Sequence, residues 1–128
     1  MSVASAQASA FYEEFLTNGQ AFAVRDDAGF PAPRNPEGAR AMPFWSKRSR
    51  AEKIIANVPA YAGMEPVEIS GQDWLDKWLP NLEKDGLRIG LNWSGARATG
   101  YDLAVADVLR NLDARREPGS AKDRPNPW

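Results

Sequence analysis

Apolar positions along this chain alternate between two spacings, and the changes of spacing mark its elements. In residues 5–18, Phe11 pairs with Phe15 and Tyr12 with Leu16 at i, i+4, which is the apolar stripe of a helix. Asn18-Gly19 supplies the stop, because glycine takes the left-handed position after a helix at little cost. Residues 20–25, QAFAVR, change to period two, with Phe22 and Val24 on one side and Ala21, Ala23 and Arg25 on the other. Asp26-Asp27-Ala28-Gly29 reads as a turn. Phe30 then opens a return strand that Pro31 and Pro33 keep short or at an edge, since proline lacks the N–H a sheet needs. Residues 34–40, RNPEGAR, are a loop, and 41–45, AMPFW, a third short strand.

The second half of the chain repeats the change of period. Ala51, Ile54, Ile55 and Val58 recur at i, i+3, i+4, i+7, a helix with one buried face, capped by Ser46 or by Ser49 with Glu52 and ended by Pro59. Residues 65–69 form a strand with Val67 and Ile69 on one face and Glu68 on the other. Ser70 and Asp73 make a capping box, and Trp74, Leu75, Trp78, Leu79 and Leu82 give the following helix a broad apolar face. Pro80 is expected to end or kink that helix near Leu79. In 87–93, LRIGLNW, Leu87, Ile89, Leu91 and Trp93 are expected inward and Arg88, Gly90 and Asn92 outward, with bare Gly90 open to a neighbour's approach. A loop at 94–100 leads to a last helix over about 101–114, with Tyr101, Val105, Val108 and Leu112 on one stripe.

The order is therefore α-β-β-β-α-β-α-β-α, with hairpins first and strand–helix alternation after. This predicts an α+β fold, a mixed and mostly antiparallel sheet of about five short strands with about four helices packed on it. A length of 128 residues suits one domain, placed at 1–114, and residues 115–128 read as a polar, proline-rich tail expected to be disordered. An apolar fraction of 43% and a charged fraction of 26% are those of a globular chain with a core.

Composition then removes several chemistries. With no cysteine and no histidine there is no disulfide, no thiolate zinc site, no Ser-His-Asp triad and no imidazole acid or base. A net charge of −1 gives no general attraction for nucleic acid or acidic lipid. The N-terminal MSVASAQASA has neither a basic region nor a leucine-rich run, and no segment has the length of a membrane span. The expected location is cytoplasmic. No cofactor is expected, and the expected partner is another protein rather than nucleic acid or membrane.

Taken together, AFYEEFLTNGQAFAVRDDAGF, AMPFWSKRSRAEK, EPVEIS, DWLDKWLP and DGLRIGLNW resemble a bacterial family known only as domain of unknown function number twenty-seven fifty. The resemblance covers roughly residues 10–112. Its most specific part is PFWS before an R-A-E-K helix, then WLP, then G-L-x-I-G-x-N-W. A looser similarity of topology runs to SseB-type domains of bacteria. Neither resemblance implies an activity or carries over a functional residue.

The candidate binding residues are Trp45, Lys47, Arg48, Arg50 and Trp93. Trp45 and Trp93 end strands where loops begin, so either could fill the core or line a groove for a partner. Lys47, Arg48 and Arg50 crowd the first turn of a helix, where cations oppose the dipole; they form either an anion site or a solvated face paired with Glu52 and neighbouring acids. Glu65, Glu68, Asp73 and Asp76 are explained by capping and solubility, or form an acidic face for a basic partner such as a nuclease toxin. The leading expectation is a small non-enzymatic binding or interaction domain. The alternatives are an immunity-type protein and an enzyme using carboxylates or bound magnesium. Ser46 or Ser94 with a lysine lacks any nucleophile-elbow motif.

Overall fold

A computed structural model describes residues 2–123, and the side chains of residues 2–116. Of the tail expected to be disordered, 115–128, residues 115–123 instead continue the last helix, and 124–128 lie outside the described residues. Helix α1, Val3–Asn18, starts on Ser2, whose hydroxyl accepts from the Ser5 N–H, and stops at left-handed Gly19. Strand β1, Gln20–Arg25, follows directly, and β2 is Ala41–Phe44. Helix α2, Arg48–Asn57, runs into a single 3-10 turn, Pro59–Tyr61. Strand β3, Glu65–Ser70, leads into a continuous helical run, 71–84, which is α3. Strands β4, Arg88–Leu91, and β5, Asp102–Leu103, precede α4, Val105–Asp123.

Strands β1 and β3 pair antiparallel from Gln20 opposite Ser70 to Arg25 opposite Glu65. In a second sheet β4 lies between β2, parallel to it, and β5, antiparallel to it. The two sheets are joined where Phe22 and Trp45 exchange backbone hydrogen bonds of 2.7 and 2.8 Å. The fold is thus α+β with mixed, mostly antiparallel pairing, as its sequence predicts.

Strand alternation sends side chains to two separate cores. Ala21, Ala23, Phe44, Ile69, Ile89 and Leu91 face α1, α3 and α4, where Phe11, Phe15, Trp74, Leu79, Val108 and Leu112 complete the first core. Phe22, Val24, Ala41 and Trp45 face the other way and meet Ala51 and Ile54 of α2, Val58, Tyr61, Trp93 and Ala98. Burial on both sides explains why QAFAVR carries no polar face: Ala21, Phe22, Ala23 and Val24 are all buried.

Five local expectations need correction. Phe30 does not begin a strand. Asp26 and Gly29 close a tight turn, and the Phe30 ring packs edge-on against Trp78 at 5.2 Å, ahead of prolines that cannot continue a ladder. Neither Ser46 nor Ser49 caps α2, whose cap is Lys47 with no side-chain bond, because Ser46 is drawn into a partly buried polar cluster. Pro80 neither ends α3 nor stops its hydrogen bonding. Trp74–Trp78 widens into a π turn, with the Leu79 N–H reaching the Trp74 carbonyl, so the helix continues through the proline.

The fourth correction concerns the end of β4. Asn92 turns inward at a left-handed φ of 50° and is buried, which throws Trp93 onto the opposite face from Ile89 and Leu91. Finally, Tyr101 is not on the last helix. Its neighbours Asp102 and Leu103 pair with β4 instead, and its own side chain is exposed.

Candidate functional site

The end of β2, the start of α2 and the end of β4 converge on one partly buried polar cluster. Its members come from distant parts of the chain: Glu14 of α1, Ser46, Arg50 of α2 and Asn92. Ser46 and Asn92 are the buried polar residues among those described. The Ser46 N–H donates to Asn92 Oδ1 at 2.9 Å, and Asn92 Nδ2 donates back to Ser46 Oγ at 2.9 Å. Ser46 Oγ–H donates to Glu14 Oε1 at 2.5 Å, and Arg50 grips the same carboxylate through both oxygens at 2.9 and 2.7 Å. With its donors and acceptors matched, the cluster fixes four elements at little desolvation cost.

This pairing also decides what the cluster can do. The Arg50 guanidinium holds the Glu14 carboxyl below its ordinary range, with help from Ser46 and Lys47 and against the opposing effect of burial. A carboxylate so stabilised is a weak base, and Ser46 Oγ is sealed from solvent. The arrangement therefore suits a structural pin and not a nucleophile–base pair. Among the described residues no three carboxylates converge as a metal site.

Beside the cluster a cleft of about 440 Å³ opens between α2 and residues 93–96. Arg50, Lys53, Ile54 and Asn57 form one wall, Ser94, Gly95 and Ala96 the other, and Trp45, Asn92 and Trp93 the floor. Three of the five sequence candidates, Trp45, Arg50 and Trp93, thus border one space. The tryptophans are not an exposed patch, however: Trp45 is 0% and Trp93 7% exposed.

Each indole is held from several sides. Trp45 Nε1 donates to the Trp93 carbonyl at 2.9 Å, and Trp93 Nε1 to the Tyr101 carbonyl at 2.9 Å. The Trp93 ring lies against Gly90 and Gly100. A β-carbon on Gly90 would sit 2.8 Å from Trp93 Nε1, and one on Gly100 2.7 Å from Trp93 Cδ1. The neighbour that bare Gly90 admits is therefore its own Trp93.

Lys47 and Arg48 point elsewhere. Lys47 Nζ is 3.9 Å from Glu14, and Arg48 lies over the Phe22 ring at 5.3 Å with an exposed pairing to Glu68 at 3.5 Å. Their partners come from α1 and β3 and do not include the expected Glu52. The acids of 65–76 are also engaged: Glu65 with Arg25, Glu68 with Arg48 and Gln20, Asp73 with Lys77, and Asp76 with Gln72. Sequence reasoning missed Glu14, Asn92 and Lys53. Glu14 was legible as the polar residue set between Phe11 and Phe15 of the helix stripe. Asn92 offered no signal, because alternation alone places it outward.

The model of one protein family matches residues 8–112, and its description is protein of unknown function (DUF2750). The match spans most of the chain, so the chain belongs to this family. No curated protein matches it.

Proposed function

We propose that the chain is a small non-enzymatic binding domain of a bacterial cytoplasm, and that it holds a partner protein at the cleft between α2 and residues 93–96. The observation that carries this reading is the pre-formed cleft itself. Its floor is fixed by the Ser46–Asn92–Glu14–Arg50 cluster, and its rim carries Lys53, which has no ion-pair partner among the described residues. A rigid floor lowers the ordering cost of binding, and a free cation on the rim selects an acidic partner. The bound state of Glu14 supports this reading over carboxylate catalysis. The ion pairs made by Glu65, Glu68 and Asp73 leave less free negative charge for a toxin-neutralising face.

Trp45 is too buried to serve as a probe of contact, so the test uses exposed residues. The partner is captured from lysate, identified, and titrated calorimetrically against the wild type, Lys53→Glu and Ala96→Trp. Weaker binding by both variants with unchanged melting supports the cleft. Full affinity in both removes it.

A further inference from the structure

A second cleft, of about 480 Å³, lies on the far side of the 94–100 loop and shares Trp93 with the first. Pro33, Arg34, Asn35 and Pro36 form one wall, Ala60 and Tyr61 line the 3-10 turn, and residues 97–100 form the other wall. The volume falls in the range of about 300–1,000 Å³ typical of sites that enclose ligand groups.

This space is built in advance. Ser94 and Thr99 exchange backbone hydrogen bonds of 3.1 and 3.0 Å, which close the loop on itself. The opposite arm is tied by Asn35, whose Oδ1 accepts from the Ala39 N–H at 2.9 Å and whose Nδ2 donates to Asp102 at 3.1 Å. Pro33 and Pro36 hold fixed φ and offer no N–H, so the arm presents a stiff apolar wall. Tyr61 and Trp93, both nearly sealed, supply an aromatic floor.

Charge in this cleft is unbalanced. Asp102, its carboxylate, is already paired with Arg88 Nε at 2.7 Å and accepts a hydrogen bond from Asn35 Nδ2. Arg34 spends one N–H on the Gly38 carbonyl at 2.8 Å, and neither Arg34 nor Arg97 meets a carboxylate among the described residues. Two exposed guanidinium groups therefore border an aromatic and proline-lined hollow. Arginine forks match carboxylates bidentately, and apolar walls suit the side chains between them.

We infer that this second cleft takes an extended peptide segment carrying aspartate or glutamate, with Arg34 and Arg97 clamping its carboxylates and Tyr61 and Trp93 seating an apolar side chain. The inference rests on the binding reading above and names the chemistry of the partner's contact segment. It does not depend on the first cleft being the main site.

The full chain is tested on an array of immobilised hexapeptides that contain two Asp or Glu among Leu, Phe, Tyr and Pro. A matched array carries Asn and Gln at the acidic positions. The expected result is retention on the acidic array about tenfold above the amide array, as charge-assisted bidentate pairing requires. The Arg34→Ala/Arg97→Ala double variant should lose that preference, and Ala60→Trp, which fills the hollow from an exposed position, should lose retention altogether. Lys84→Ala, an exposed cation on α3, should change nothing, and thermal melts verify that all variants remain folded.

Equal retention on both arrays, or an undiminished preference in the arginine double variant, overturns the inference. Equal binding of a labelled single-stranded oligonucleotide overturns it too. If the identified partner is lost with Ala96→Trp while the arrays stay blank, this inference fails and the binding reading stands. If both fail, no partner is held on this side of the sheet.

Discussion

The two sides of the sheet bury similar residue types by different means. On the α1–α3–α4 side the core is closed by apolar packing, with aromatic rings at its centre. Trp74 sits among Phe11, Phe15 and Phe44 at 5.0 to 5.5 Å, and its N–H has no hydrogen-bond acceptor. On the α2 side both indoles donate to backbone carbonyls, a polar cluster is embedded beside them, and clefts open on either side of Trp93. Apolar packing is indifferent to direction, so the first side gains stability without a directional polar frame, although a hollow of about 520 Å³ also opens there between α1 and α3. Hydrogen bonds are directional, so the second can hold loops still next to open space. Under the proposed function, stability belongs to the first side and recognition to the second.

The largest effect that could break this contrast is at Trp74. Trp74→Ala should cost about 3–5 kcal/mol, enough to unfold much of the domain, read as a shift of the urea midpoint. A loss under about 1 kcal/mol would mean that the first core is not the stabilising one. Next comes Asn92→Ala, which leaves the Ser46 N–H and hydroxyl without their partner. A loss of about 2–3 kcal/mol is expected, to which the left-handed backbone that alanine must also hold contributes.

Gly90→Ala tests the seat of Trp93. The added carbon meets the indole, so a loss of about 1–3 kcal/mol is expected, and Trp93→Leu in the same chain should recover part of it. Additive losses in the double variant would show that the two residues do not oppose each other.

A smaller effect, and one that depends on pH, belongs to Glu14. Its folded pKa is depressed by Arg50, so its contribution is present above the unfolded glutamate pKa, about 4.3. The contribution is lost as pH falls through the lower folded value. Glu14→Gln should therefore destabilise by about 1–2 kcal/mol at neutral pH and by progressively less below that range. A difference that stays constant down to the acid transition would separate Glu14 from the Arg50 pairing. Smallest is Lys53→Ala, expected to move stability by less than about 0.5 kcal/mol while weakening partner binding. A change in melting without a change in binding would place Lys53 with the scaffold.

Much of the scaffold was legible because local spacing and final burial agree. The stripe of α1 with its stop at Gly19, the buried line Ala51–Ile54–Val58 and the Ser70 cap of α3 all follow from neighbours within a turn. The misreadings share a different cause. Ser46 looked like a cap because its partners, Glu14 and Asn92, are remote in sequence. Asn92 and Trp93 looked like ordinary alternation because a single left-handed residue, invisible in the pattern, reverses the faces. Pro80 looked like a stop because a π turn is not encoded by spacing.

At the candidate site the sequence singled out Trp45, Arg50 and Trp93, and these border the first cleft. It could not foresee that the indoles would be floor and not surface, nor that Lys53, Arg34 and Arg97 would be the exposed cations around the two hollows.

The sequence by itself determined the element types, the α+β class, the family and the absence of thiol and imidazole chemistry, since these depend on local pattern and residue inventory. Only the tertiary structure decided which face each strand side chain joins, that Glu14 and Arg50 neutralise each other, and that two clefts flank Trp93. Those outcomes depend on pairs far apart in the chain, whose encounter is set by how the sheet is closed and not by any neighbouring residue.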